Sequence, residues 1–149
     1  MKYSLPLILI GFAVIFGFTK YQRPDKGIPE PWTADQLMNA ADLAGWIRHP
    51  GEKKITIYSV GPGALITGSV DMGPAHEKEN LEKFRVSVSV MPRDALIVIY
   101  CGCCPFEHCP NIRPAFSLLN EMKFKHAYLL NIEHNIRTDW VDKGYPSVQ

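Results

Sequence analysis

Four cysteines, one histidine and two prolines fall within ten residues, "CGCCPFEHCP" at 101–110, and the 149-residue chain has no other cysteine. A thiol attacks as the thiolate, whose ordinary pKa of about 8.5 falls beside a cation or a helix N-terminus. Thiols this close also pair when oxidised, and with a histidine they form a set of soft metal ligands. Cys103 and Cys104 are adjacent and rarely pair with each other, whereas Cys101 or Cys103 with Cys109 is compatible with a disulfide's Cα separation of roughly 4.4–6.8 Å. Such a pair would be structural, or the resting state of an attacking and a resolving thiol. For a metal the ligands would be Cys101, Cys103, Cys104, His108 and Cys109. Zinc ribbons draw ligands from two separated pairs, and here all of them crowd around Pro105, so a cuprous ion fits more readily than zinc. A further alternative is an inactive scaffold that binds a partner, its cysteines incidental.

The flanking residues say where this stretch sits. "DALIVIY" before it is apolar throughout, as in a central parallel strand covered on both faces. After it, 111–122 carries Ile112, Ala115, Phe116 and Leu119 on one helical face, with Pro110 expected at the first helical position. The cluster therefore lies at the carboxyl end of a strand and before a helix N-terminus, where α/β sheets collect ligands and N–H groups favour an anion. Arg113 and His108 would add positive charge for an anion, and Glu107 is more simply solvated than a general base.

The remaining elements fit the same frame. "WTADQLMNAADLAGWIRHP" reads as one helix, opened by a capping box of Thr33 and Gln36 and closed by His49-Pro50-Gly51. The stretches 54–60, a short segment within "ALITGSVDMGP" and "HAYLLNI" read as strands, and 80–90 as a helix despite the alternating "RVSVSV". "IRTDWVDKGYP" reads as a last helix ended by Gly144. Strands alternating with helices imply a single α/β domain with a mostly parallel central sheet and helices on both faces. Trp32, Trp46 and Trp140 are expected in the core, and His76, His126 and His134 on the surface or capping turns.

Net charge is +1 and 21% of residues are charged, which gives no basic excess for nucleic acid. The front of the chain differs. Lys2 precedes an apolar run at 5–18, too short to cross a bilayer comfortably, as in a secretory signal, although "GFTKYQ" offers no small-x-small cleavage site. Residues 1–20 are thus expected to be a signal peptide or an apolar anchor helix, with membrane attachment through 5–18. A Pro-rich linker follows at 21–31, and the domain at 32–149. This arrangement places the domain outside the cytoplasm, in the periplasm or anchored facing outward.

The ordered motifs resemble the rhodanese-like family of sulfurtransferases. "IVIYC" matches the strand ending in tyrosine before the active cysteine, and "RPAFSLLNEMKF" the helix after it. Leu130, Trp140 and Gly144-Tyr145-Pro146 follow in order, while "TIYSV", Gly68 and Pro74-Ala75 match upstream. The resemblance covers about 32–148. It implies transfer of a sulfane sulfur by a cysteine persulfide, without a cofactor, from a small donor such as thiosulfate or a persulfide to a thiol acceptor. The chain departs from the family at Ser59-Val60-Gly61, where Asp-x-Arg is usual, and at Gly68-Ser69, where a glycine-histidine pair is usual. Its loop is also about four residues longer than the family's. Counted from the strand, the nucleophile is Cys101; counted back from Asn111, the nearest thiol is Cys104. Cys103, Cys104 and Cys109 are then candidates to resolve a persulfide on Cys101.

Overall fold

The computed structural model describes residues 29–105 and 108–148. Expectations for the signal or anchor, and for Glu107, lie outside the described residues. Among those described, no helix is long and apolar enough to cross a membrane. Five parallel strands form one sheet in the order β1-β5-β4-β2-β3. They are β1 (Leu37–Met38), β2 (Ile55–Ser59), β3 (Ser69–Asp71), β4 (Leu96–Tyr100) and β5 (His126–Leu130). The helices are α1 (Ala40–Arg48), α2 (Lys78–Ser89) and α3 (Ile112–Glu121).

The period of two along each strand divides the core into two layers. Ile97, Ile99 and Cys101 from β4 and its end, Tyr58 and Val60 beside them, and Ala127 and Leu129 pack with Phe84 and Val88 of α2 and with Phe116 and Leu119 of α3. The opposite set, Ile57, Val98, Tyr100 and Leu130, packs with Leu43 and Ala44 of α1 and with Trp140. Helical elements therefore cover both faces, and β4, paired on both sides, is central as its apolar run predicts. Cys101 continues the alternation of Ile97 and Ile99, which turns its side chain toward α3.

The helix expected from Thr33 to Arg48 is instead divided. Thr33 and Gln36 do form a capping box, but it closes only the single 3-10 turn Ala34–Gln36. Leu37 and Met38 then pair with β5, and Asn39 caps α1 afresh by accepting the N–H of Ala41 at 3.0 Å. Leu and Met are good helix formers, but pairing with β5 overrides that preference, as tertiary context commonly does. Pro110 is not the first residue of α3; Asn111 is the N-cap and Ile112 begins the helix. The last helix shrinks to a π-helical turn, Arg137–Val141, which seats Trp140 in the core. Trp32 and Trp140 are buried, but Trp46 is 39% exposed. Helix α2 forms over its valines because only Val88 and Phe84 need burial, leaving Val86 and Val90 outward.

Candidate functional site

The loop after β4 lies beside the end of β2, because the two strands pair residue for residue up to Ser59 and Tyr100. The ladder runs one bond further, with the Val60 N–H donating to the Tyr100 carbonyl at 2.9 Å. From here the chain leaves β2 toward β3 and β4 toward β5, in opposite directions across the sheet. Such a parting of connections is where open α/β sheets place their ligands. Two glycines make the loop's path sterically possible. A Cβ on Gly61 would stand 2.4 Å from the Cys101 sulfur, and one on Gly102 would stand 2.8 Å from Ile136 Cγ2. The missing arginine of the resemblance thus becomes space for sulfur. Ser69, where the family's histidine is usual, is structural: its hydroxyl binds the Ile66 carbonyl and contacts the Tyr100 hydroxyl at 3.0 Å.

All four cysteines are free thiols, and they differ in burial: Cys101 and Cys109 are buried, Cys104 half-buried and Cys103 exposed. The Cys101 sulfur lies 3.2 Å from that of Cys103, which lies 3.1 Å from that of Cys104. The sulfurs of Cys101, Cys103 and Cys109 all fall within 4.8 Å of one another, and these three are the group with the geometry to hold a soft metal ion. Neither His108 nor Cys104 belongs to that group. His108 is exposed, its N–H bonded to the Pro105 carbonyl at 3.1 Å.

Charge is unevenly shared among these sulfurs. A hydrogen bond from the Cys109 thiol, the Cys103 backbone N–H, the Asn111 carboxamide and the Cys103 thiol together lower the Cys101 pKa to about 5, against the opposing effect of burial. Burial first, then the neighbouring thiols of Cys104 and Cys101, push Cys103 up to about 12. Cys109 is raised as well, chiefly because its proton serves Cys101. The helix-start N–H groups, Asn111 and Ile112, point at Cys109 rather than Cys101. One sulfur in the cluster therefore carries the negative charge and two neighbours keep their protons. That is the state in which a thiolate is held ready inside the protein.

Arg113 has other partners in this conformation. Its guanidinium pairs with Glu30, lies 5.6 Å over the Trp32 ring and reaches the Cys109 carbonyl at 3.5 Å. Sequence reasoning missed Asn111 and His76 as a linked pair. Asn111 is 3% exposed; its Nδ2 donates to the Cys101 sulfur at 3.4 Å, while its Oδ1 meets both the backbone N–H and Nδ1 of His76. His76 is exposed, as expected of it, but it is tied to the site. His134 is exposed, as expected of it, and its backbone N–H donates to the Asp139 carboxylate at 2.7 Å. A recess of about 540 Å³ near Trp46, lined also by Leu37, Met38, Asn39, Asp42, Leu96 and Tyr128, lies at the other end of β4 and contains no cysteine.

Two solved structures share this fold. One is a protein from Lactobacillus plantarum, 12% identical with a TM-score of 0.56, the match covering 77% of this chain and 89% of that one. The other is a cysteine-to-serine variant of EanB in complex with hercynine, 17% identical with a TM-score of 0.54, covering 76% of this chain and 27% of that longer one. At such identities the likeness bears on fold alone, and it agrees with the α/β class expected of the chain. No protein-family model matches the chain, and no curated protein is similar to it at a significant level.

Proposed function

We propose that the protein transfers a sulfane sulfur through a persulfide on Cys101. The observation that carries this reading is a buried thiol at the carboxyl end of the central strand, with the Asn111 carboxamide 3.4 Å from its sulfur and the Cys103 and Cys109 sulfurs beside it. With thiosulfate as donor, the Cys101 thiolate attacks the outer sulfur. A sulfur–sulfur bond forms, the donor's sulfur–sulfur bond breaks, and sulfite leaves with the electron pair. The negative charge of the persulfide then lies on its outer sulfur.

Cys103 is the resolving thiol in this scheme, because its sulfur is 3.2 Å from Cys101 and its side chain is exposed. Its sulfur attacks Sγ of Cys101 and gives up its proton to the departing outer sulfur. The products are a Cys101–Cys103 disulfide and HS⁻. A dithiol acceptor then supplies two electrons and two protons to restore the thiols. Cys104, the alternative nucleophile, stands one sulfur further out and lacks the donors that Cys101 has. The domain is placed outside the cytoplasm in this proposal, by the apolar run at 5–18.

One observation favours a second reading. Among the described residues, three sulfurs within 4.8 Å of one another could also hold a thiophilic ion such as Cu(I). Intact-mass measurement separates the two. Sulfur transfer predicts a one-sulfur adduct on the Cys103→Ala chain after thiosulfate treatment, absent when Cys101→Ser is added. A bound ion in the native mass with no adduct supports the metal site, and neither result leaves the fold as a partner-binding scaffold.

A further inference from the structure

We propose that Asn111 and His76 form a positioning pair whose role is to hold a hydrogen-bond donor against the Cys101 sulfur. A buried carboxamide can face its neighbours in two ways, and one contact decides between them. The backbone N–H of His76, 3.1 Å from Asn111, can only donate. The carboxamide oxygen must therefore lie on the His76 side, which directs Nδ2 to the Cys101 sulfur at 3.4 Å. The reversed carboxamide would set N–H against N–H and oxygen against sulfur.

The same oxygen lies 2.7 Å from Nδ1 of His76. It already accepts one bond and has no hydrogen to give, so Nδ1 must carry the proton. The His76 ring then adds a second clamp on the carboxamide. A carboxamide has no titratable proton, so what passes from His76 to Cys101 is orientation. Donors to an anionic sulfur are stronger than donors to a neutral one. The pair consequently favours the Cys101 thiolate. Residues 76 and 111 thus join the site from the start of α2 and the start of α3.

The proposal rests on the cysteine site described above, but its test uses no sulfur donor. Failure to form a sulfur adduct would therefore count against sulfur transfer and leave this pair standing. The measurement is the ultraviolet thiolate absorbance of Cys101 in the reduced full chain, as the difference from Cys101→Ser, at the pH where the wild type is half ionised. Asn111→Leu removes the donor and should lower the thiolate-to-thiol ratio about tenfold, the scale of a hydrogen bond to a charged group. His76→Ala should lower it by a smaller factor, and His76→Asn, which keeps a donor in the Nδ1 position, should restore it. A folded Asn111→Leu variant with wild-type absorbance overturns the proposal. If that variant does not fold, the exposed His76 decides the matter. Equal absorbance in the wild type, His76→Ala and His76→Asn, or loss in both variants, overturns it.

Discussion

Gly61 and Cys103 test the residue-scale account from two sides. Because a Cβ at Gly61 would stand 2.4 Å from the Cys101 sulfur, Gly61→Ala must displace either the thiol or the end of β2. Overpacking of this kind costs roughly 1–3 kcal/mol, and urea denaturation should show it together with loss of sulfur-adduct formation. Cys103 stands between the buried Cys101 and solvent, so it must turn aside for a donor to arrive. Cys103→Ala should therefore speed formation of the Cys101 adduct and let it accumulate, since the resolving thiol is gone; time-resolved intact mass reads both effects. The pH dependence of stability follows from the same sulfurs. The Cys101 pKa is lowered from 9.0 to about 5, so its contribution is complete above pH 9, declines as pH falls toward 5 and is absent below. Cys103 is raised from 9.0 to about 12, so its contribution is complete below pH 9 and is lost as pH rises toward 12. Urea midpoints should rise between pH 5 and 9, and Cys101→Ser should flatten that limb.

At the scale of elements, helix α1 depends on a cap that lies inside what reads as a continuous helix. Asn39→Ala should cost about 1 kcal/mol in chemical denaturation, whereas an ordinary mid-helix position would tolerate alanine well. The case shows where local pattern stops being sufficient. The apolar run at β4 identified the central strand because burial on both faces leaves a mark in every residue. The Thr33–Gln36 capping box was also legible, but the pairing of Leu37 and Met38 with β5 depends on residues about ninety positions away, beyond any local window. The cysteine loop was visible from residue types alone. Its electrostatic partners were not: Asn111 meets His76 across 35 residues, and Gly61 meets Cys101 only because β2 and β4 are neighbours. Nothing in the spacing of the cysteines told which sulfur would be ionised, since that depends on how the folded loop turns Cys103, Cys109 and Asn111 toward Cys101.

On the scale of the whole molecule, Tyr100 links the central strand to the edge of the sheet. Its hydroxyl accepts the N–H groups of Leu65 and Ile66 at 2.9 and 3.2 Å and contacts the Ser69 hydroxyl, tying β4 to the segment before β3. Tyr100→Phe keeps the ring and leaves these donors without that acceptor, at a cost of about 1–3 kcal/mol for a buried group. Thermal melting should show this loss, and the adjoining cysteine loop should be disturbed less than by Gly61→Ala. Sheet and loop together support one division of labour, in which the parallel layers fix a buried sulfur and the irregular loop supplies its protons and its outlet. The most direct test is to trap the thiosulfate-treated Cys103→Ala chain, in which the persulfide is not resolved, with an alkylating reagent and locate the extra sulfur by peptide mass spectrometry. The account predicts it on Cys101; an extra sulfur found only on Cys104 or Cys109, or on no cysteine, would contradict it.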